Sequence, residues 1–398
     1  MTLRKSRLPP GGNNLFQEIK EQCRKAEQGG KKIINLSIGQ PSGSALFSAR
    51  NAASWAVMSD QESMHGYQDN GSPGVPDFAK RFVGAHIRRP VGGAGAEIAY
   101  LPIPGIKPIL GMIPQACGAI TNPCSVIAAT MTDPGYPTPA TQCRYLGVPH
   151  YSLALNPGNK FRFSVRDIRP TTNLLMLNVP HNPSGQIADR EWWNEICDHC
   201  ARKGIRLFND GAYAALSYPR SSSTLTDVAM DYPELSWAEA FSASKLIGNG
   251  TGWRIGAMAG SPDFIGDIGI IKGNADSGFA APMAAGVIFA LENDQEGITA
   301  NRRLYRERIV ILKELLEDCG MSMAVVPEAG FFTLWKAPNQ AFGRRIADGR
   351  EFNQLMIENT GVVGVHFGPY IRYSVTSDIE NMVPKITTAF NAAKTHYD

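Results

Sequence analysis

The fold is decided by the stretch LLMLNVPHNPSGQ at residues 174–186. It starts with a short apolar run, residues 174–179, which has the length and composition of a buried strand. The turn residues from Pro180 to Gly185 end that strand. Similar apolar runs occur at residues 125–131, 205–208 and 239–241, and helical stretches such as residues 190–203 separate them. Short apolar strands that alternate with helices predict an α/β fold with a mostly parallel sheet covered on both faces.

Polar side chains follow three of these strands. Asn182, Asp210 and Lys245 each lie just beyond a strand end. Ligands of such sheets bind outside the carboxyl ends of the strands. We therefore expect these three side chains to share one site.

The pattern changes after about residue 286. A long charged helix is predicted at residues 300–319, and strands are predicted within 323–336 and 371–376. These elements predict a second, smaller α+β domain, and the N-terminal helix at 14–28 and strand at 32–38 are expected to join it. The predicted large domain is residues 45–285, the predicted small domain is residues 1–44 and 286–398, and the site lies in the cleft between them.

Composition excludes several classes of function. Hydrophobic residues make up 43% of the 398 residues, charged residues 19%, and the net charge is +3. The sequence contains no run of five or more basic residues, so nucleic-acid binding is not predicted, and no apolar stretch is long enough to predict a membrane span. The seven scattered cysteines favour a reducing compartment, so a cytoplasmic location is expected. Cys197 and Cys200 have metal-like spacing but no second pair, so we interpret them as ordinary helix cysteines and predict no metal site.

Lys245 lies in Ser242-Ala243-Ser244-Lys245, directly after a strand. Its amine could form a Schiff base with an aldehyde and then move a proton. Asp210 could hold the proton of a pyridine nitrogen. Together these groups suit pyridoxal 5′-phosphate (PLP). Each alone has a simpler interpretation: a solvated lysine at a strand end, and an aspartate that starts a turn.

Three more side chains could contact the ring of such a cofactor. Tyr213 and Asn182 could bind its phenolate oxygen, and Tyr136 could stack on the ring. The alternatives are a packed tyrosine, an Asn-Pro turn and a surface turn tyrosine.

A phosphate site is predicted around the Gly105-Ile106-Lys107 turn, where backbone N–H groups of Ile106 and Lys107 precede a helix-like stretch. Ser242, Ser244 and Arg254 could supply hydroxyl and guanidinium donors. Pro114 indicates that the helix after this turn is short or kinked.

Four blocks carry a resemblance to a known family. They are residues 182–185 (NPSG), 210–213 (DGAY), 242–245 (SASK) and 252–254 (GWR). From about Leu15 to about Ser377 the chain resembles the class I/II aminotransferases of PLP fold type I. The opening at residues 8–39 and the Gly66-Tyr67 block are similar to LL-diaminopimelate aminotransferases.

The resemblance implies a role for each matching residue. It implies that Lys245 binds the cofactor, Asp210 contacts its pyridinium, and the residues named above hold its ring and phosphate. Tyr67 resembles a tyrosine that reaches the phosphate of the other subunit, which implies a homodimer with shared sites. Arg372 resembles the arginine that binds the substrate α-carboxylate, and Gly39 resembles a backbone contact beside it. Two departures are visible: nine positions separate Lys245 from Arg254 where the family usually has eight, and residues 362–371 form a shorter segment than usual.

The expected function is therefore amino-group transfer from an L-amino acid to a 2-oxo acid by a ping-pong mechanism. A PLP-dependent β-lyase is the first alternative, because the same fold hosts both reactions and fold does not determine reaction. Release of pyruvate and ammonia without amine transfer would indicate the lyase. The second alternative is a non-catalytic regulator of the same fold, which usually carries an added DNA-binding domain.

Overall fold

The computed structural model describes residues 15–88 and 97–397, with the side chain of Phe16 excluded. The predicted resemblance at residues 8–14 and the first 14 residues of the predicted small domain lie outside the described residues. The helices are α1 (Leu15–Gln28), α2 (Phe47–Val57), α3 (Glu62–His65), α4 (Phe78–Gly84), α5 (Ile106–Ile109), α6 (Met112–Pro114), α7 (Thr138–Leu146), α8 (Arg190–Lys203), α9 (Thr226–Ala229), α10 (Pro262–Gly273), α11 (Ala281–Asn293), α12 (Gln295–Asp318), α13 (Gly349–Thr360) and α14 (Ile379–Ala393).

The strands follow the same chain order. They are β1 (Ile34–Asn35), β2 (Ala99–Ile103), β3 (Ala128–Thr130), β4 (His150–Ser152), β5 (Leu174–Leu177), β6 (Arg206–Asp210), β7 (Trp237–Ser242), β8 (Gly256–Gly260), β9 (Met323–Val325), β10 (Phe332–Lys336), β11 (Gln340–Ala341), β12 (Arg344–Arg345), β13 (Val362–Val363), β14 (Val365–Phe367) and β15 (Tyr370–Ser374).

Seven strands form the large sheet, in the order β2-β8-β7-β6-β5-β3-β4. The strands from β7 to β4 are parallel, and β8 and β2 are antiparallel to their neighbours. The predicted mostly parallel sheet is therefore confirmed. Every residue of β5 is buried, as expected for a strand covered on both faces.

Alternating side chains of β5 build the two cores of this sheet. Leu174 and Met176 pack in one cluster with Phe264 of α10. Leu175 and Leu177 pack in the other, which contains α8 and α11. This division follows from the two-residue period of a strand, which sends neighbouring side chains to opposite faces.

The antiparallel strands β14-β15-β10-β9 form a second, smaller sheet. It packs against α12 and α14 in a separate core, in agreement with the α+β region predicted after residue 286. β1 pairs in parallel with β13, and Ile19 of α1 packs with Ile357, so the described N-terminal segment lies on this unit. The domain boundaries at 44/45 and 285/286 stay a prediction, since α11 continues through residue 286 and packs against α2.

Three strands of the large sheet were not predicted: β2, β4 and β8. β8 consists of glycine, alanine and methionine, which are poor signals for a strand. β2 contains Pro102, which is tolerated because β2 lies at the edge of the sheet. In residues 15–88 and 97–397, no helix combines the length and hydropathy needed to cross a membrane.

Candidate active site

A cavity of about 770 Å³ opens at the carboxyl ends of β5 and β6 and beyond β7. Every predicted site residue except Tyr67 lines it. Those residues are Gly39, Ile106, Lys107, Tyr136, Asn182, Asp210, Tyr213, Ser242, Ser244, Lys245, Arg254 and Arg372. The structure thus brings together side chains that are scattered over most of the sequence.

Lys245 supplies the amine of this cavity, and its side chain is half-buried. It closes the single 3-10 turn Ala243–Lys245, which Ser242 caps by accepting a hydrogen bond from the Ser244 N–H at 3.2 Å. The pKa of Lys245 is lowered to about 8: burial is the main cause, the charge of Asp210 opposes it, and the charge of Arg254 adds to it. A substantial fraction of the amine is therefore neutral near neutral pH, as a nucleophile requires.

Asp210 ends β6 and is buried at the same cavity. Its Oδ1 accepts a hydrogen bond from the Ala212 N–H at 3.1 Å. The pKa of Asp210 is raised to about 6, because burial outweighs the opposing effects of the Ala212 N–H and the charge of Lys245. The group is an anion at neutral pH, in a place where a cationic ligand nitrogen would recover the cost of its burial.

Tyr213 lies between Lys245 and an aromatic cluster. The Lys245 Nζ is 5.1 Å from the centroid of its ring. Phe331 and Phe332 each meet the ring edge-on at 5.6 Å between centroids. Burial raises the pKa of Tyr213, so the phenol stays protonated and can donate a hydrogen bond.

The predicted phosphate side is built around Gly105. This residue has φ +80°, and a Cβ placed on it would lie 2.4 Å from Nη2 of Arg254. Arg254 donates hydrogen bonds to the carbonyls of Thr251 (2.9 Å) and Pro104 (3.2 Å). The extra residue between Lys245 and Arg254 therefore does not remove the guanidinium from the cavity.

Hydroxyl and backbone donors surround the same corner. Ser242 Oγ donates to Ser244 Oγ at 2.8 Å, and Ile106 and Lys107 are the first residues of α5. The predicted short or kinked helix is confirmed, because α5 has four residues and is followed by α6 and a short π-helix at Gln115–Ala119.

Tyr136 reaches the cavity from the turn after β3. Gly135 is required in this turn, since a Cβ there would lie 1.8 Å from the carbonyl oxygen of Met131. Burial raises the pKa of Tyr136, and the half-buried ring lines the same space as Asp210. Its position suits stacking on a planar ligand.

Arg372 of β15 crosses from the small sheet to the large one. Its Nη1 donates to Asn182 Oδ1 at 2.8 Å, and its Nη2 donates to the Ser37 carbonyl at 3.0 Å. The guanidinium carbon lies 3.9 Å from the centroid of the Phe332 ring. Burial lowers the pKa of Arg372 to about 10, so the group remains a cation at neutral pH. Gly39 lies beside it, since a Cβ placed on this glycine would be 3.9 Å from Nη2.

Tyr67 is the one predicted site residue outside the cavity. Its side chain is 79% exposed, in the loop after α3. Six lining residues were not predicted: Gln40, Pro108, Gln142, Asn178, Ala212 and Thr251. Asn178 has a visible role, because its Nδ2 donates to the Asp210 carbonyl at 2.9 Å. Its position at the end of an apolar run, four residues before Asn182, was the signal that could have found it.

These residues fit PLP. The cavity supplies a half-buried amine, a buried carboxylate, a phenol donor and a corner rich in phosphate donors around Gly105. A side chain at residue 105 would fill that corner. The shorter segment at residues 362–371 contains β13, β14 and the start of β15, and Arg372 of β15 lines the cavity from the small sheet.

The family model described as "Aminotransferase class I and II" matches residues 31–383. The chain belongs to this family, and it is a PLP-dependent aminotransferase that transfers amino groups between amino acids and oxo acids. The predicted fold type I and the predicted cofactor are thereby confirmed.

Curated relatives agree with the class. The chain is 29% identical to the LL-diaminopimelate aminotransferase of Methanococcus maripaludis, over 86% of this chain and 81% of the relative. It is 27% identical to the enzyme of that name from Dehalococcoides mccartyi, over 95% and 96%. These matches confirm the predicted LL-diaminopimelate aminotransferase-like features.

Solved structures show the same fold. The substrate-bound BacF structure from Bacillus subtilis has a TM-score of 0.83 at 22% identity and covers 100% of this chain and 99% of that chain. The aspartate aminotransferase from Rhizobium meliloti has a TM-score of 0.83 at 21% identity, with 99% of each chain covered.

Proposed function

We propose that the cavity residues divide the work of amino transfer as the sequence predicted. Lys245 would hold the cofactor and move the proton, and Asp210 would hold the cationic ring nitrogen. Tyr213 and Asn182 would donate to the ring oxygen, and Tyr136 would stack on the ring. Ile106, Lys107, Ser242, Ser244 and Arg254 would bind the phosphate. One observation supports this division above all: a single cavity contains the partly neutral amine and the buried carboxylate together.

PLP, when bound, supplies an aldehyde carbon and a ring that accepts an electron pair. The protein's part is electrostatic and positional. The Lys245 Nζ can accept a proton because burial keeps its pKa near 8. The Asp210 charge favours protonation of the group it faces, and the buried phenol of Tyr213 offers a proton to an oxyanion.

Arg372 is the proposed anchor of the substrate α-carboxylate, with Gly39 beside it. It is buried, charged and already oriented by Asn182 and Ser37, so a carboxylate can bind without ordering a flexible side chain. LL-diaminopimelate is the amino donor we propose first, because curated relatives carry that name.

We further propose a homodimer with shared sites. Tyr67 is exposed and lies outside its own cavity, in agreement with a residue that serves a partner's phosphate. Large apolar side chains are exposed on the same part of the chain, including Phe47, Trp55 and Met58, and the burial of these side chains would favour association. A cytoplasmic location, suggested by seven free cysteines, stays part of this proposal.

A donor panel tests the reaction. The holoenzyme is incubated with 2-oxoglutarate and LL-diaminopimelate, aspartate, alanine or an aromatic amino acid, and glutamate formation is measured. We expect stoichiometric glutamate and oxo-acid formation from at least one donor, with loss in Lys245→Ala. Pyruvate and ammonia without glutamate would indicate the β-lyase instead. Retention of full activity by Lys245→Ala would refute the site assignment.

A further inference from the structure

A second buried carboxylate lies directly behind the cofactor cavity. Glu239 belongs to β7 and is 1% exposed. It is the register partner of Asn209, the residue before Asp210. Because side chains alternate along a strand, Asp210 faces the cavity while Asn209 and Glu239 lie on the opposite face of the sheet. Neither of these two residues lines the cofactor cavity.

Four donors meet the oxygens of Glu239. Oε1 accepts from Asn209 Nδ2 at 2.7 Å and from the Leu225 N–H at 3.2 Å. Oε2 accepts from the Thr226 N–H and the Thr226 hydroxyl, both at 2.7 Å. Burial raises the pKa of Glu239 to about 7, and these donors oppose that effect. A carboxylate is the one carboxyl form that accepts at all four positions.

The contact with Glu239 determines how the Asn209 amide is oriented. Because Nδ2 must face the carboxylate, Oδ1 is left to accept from the Val179 N–H, which it does at 2.9 Å. Nδ2 also donates to the Val179 carbonyl at 2.9 Å. Asn209 thereby binds both backbone groups of Val179, the residue that leads from β5 into the turn carrying Asn182.

That turn continues to the substrate side of the cavity. The Asn182 N–H donates to Asn178 Oδ1 at 3.0 Å, while Asn178 Nδ2 donates to the Asp210 carbonyl. Asn182 Oδ1 then accepts from Arg372 Nη1. An unbroken series of short hydrogen bonds and backbone links therefore connects Glu239 with the arginine at the substrate wall.

We propose that Glu239 is a positioning residue for amino transfer: through Asn209 it orients the Val179–Asn182 turn, and through Asn182 it aligns Arg372 for the substrate carboxylate. This inference rests on the proposed role of Arg372. It assigns to a residue outside the cavity the task of setting the geometry within it, a task for which a rigid hydrogen-bonded support is suited.

Glu239→Gln is the sharpest perturbation. A glutamine places an NH₂ group where one oxygen accepts two donors. The Oε1 position carries the longest contact, so we expect Nε2 to settle there and to face Asn209 Nδ2. The Asn209 amide must then flip, and its Nδ2 would meet the Val179 N–H, donor against donor. Thr226→Val is the matched control, because it removes a donor from the same carboxylate without touching Asn209.

The readouts separate positioning from general stability. KM for amino donor and oxo acid is measured together with the Kd of an unreactive α-methyl amino acid, followed by the change in PLP absorbance. If Arg372 is misaligned, the substrate carboxylate loses about one charge-assisted hydrogen bond. We therefore expect Glu239→Gln to raise KM and Kd on the order of tenfold. Thr226→Val should lower the melting temperature and leave both constants near those of the unaltered protein. Asn209→Ala should reproduce the rise in KM and Kd, and adding Glu239→Gln to it should raise them no further.

Several results would overturn the proposal. Equal KM and Kd values in Glu239→Gln and Thr226→Val would do so, as would a full additional effect of Glu239→Gln in the Asn209→Ala background. If Glu239→Gln does not fold, unchanged constants in Asn209→Ala decide against it. The Kd of Arg372→Ala is measured in parallel. If this Kd is unchanged, the proposed role of Arg372 as the carboxylate anchor is wrong. If it rises in Arg372→Ala but stays unchanged in Asn209→Ala, only the role of Glu239 is refuted.

Discussion

The partly desolvated amine of Lys245 gives the most direct quantitative prediction. Burial lowers its pKa from the ordinary 10.5 to about 8. At pH 7 this raises the neutral fraction of the amine about 300-fold, from roughly 0.03% to roughly 9%. The PLP-free protein should therefore react with a small aldehyde at Lys245 along a pH curve centred near pH 8.

The assay is reductive trapping of the PLP-free protein with acetaldehyde across pH 6 to 11, with the modified lysines mapped by mass spectrometry. Exposed Lys160 in the same sample is the reference for the pH dependence of the trapping chemistry. Acetaldehyde carries no phosphate, so the result does not depend on the phosphate corner of the cavity.

Two variants test the electrostatic reasoning in opposite directions. The Asp210 charge raises the pKa of Lys245, so Asp210→Asn should move the midpoint to lower pH. Arg254 lowers that pKa, so Arg254→Gln should move the midpoint upward. A midpoint at 10 or above in the unaltered protein, or shifts of the reverse sign in these variants, would refute the account of a desolvated nucleophile.

The remaining predictions concern stability, the phosphate corner and the partner subunit. Between about pH 8 and 10.5, Lys245 is protonated in the unfolded state and neutral in the folded state, so the free energy of unfolding of the PLP-free protein falls by up to about 3 kcal/mol as pH falls through this window. Lys245→Met should abolish that loss in denaturant titrations. A pH profile identical to that of the unaltered protein would contradict this. Gly105→Ala should displace Arg254 and increase PLP dissociation on the order of tenfold or more. Gly43→Ala is the control, because it also places a Cβ at a positive φ (+75°) but with nothing within 4 Å of that Cβ. Dialysis followed by PLP absorbance measures both, and equal retention would exclude the contact as the cause. Tyr67→Phe should weaken PLP retention without altering the folded chain. If sites are shared, mixing the Tyr67→Phe and Lys245→Ala proteins should yield hybrid dimers in which one of the two sites contains both Lys245 and Tyr67. Mixtures no more active than the sum of their parts would count against shared sites.

Much of the fold could be predicted from local patterns. The runs that became β5 and β6 are short, largely apolar and followed by turn residues, so buried strands are predicted there from neighbouring residues alone. α8 has the bounds predicted for it, and in the structure Asp189 caps its start and Gly204 ends it. β8 could not be predicted in this way, because its glycine and alanine residues form a strand only between β2 and β7.

Part of the candidate site could likewise be predicted from local sequence, and part could not. Asn182, Asp210 and Lys245 could be grouped because parallel strands end at one edge of a sheet. The Arg372–Asn182 contact joins residues 190 positions apart, and no local pattern reports it. The approach of Arg254 to Gly105 and the support that Glu239 gives to Asn209 also depend on how strands and turns are placed beside one another.

The sequence by itself therefore predicted which reactive groups the site contains: an amine, an acid, a phenol and a glycine turn suited to a phosphate. Each lies at the end of a strand or in a tight turn. The pKa values and the mutual orientation of these groups depend on the tertiary structure. Burial moves the pKa values of Lys245 and Asp210 toward each other, and contacts between distant segments orient Arg372, because desolvation and hydrogen-bond geometry depend on everything that packs around a group and not on its neighbours in the chain.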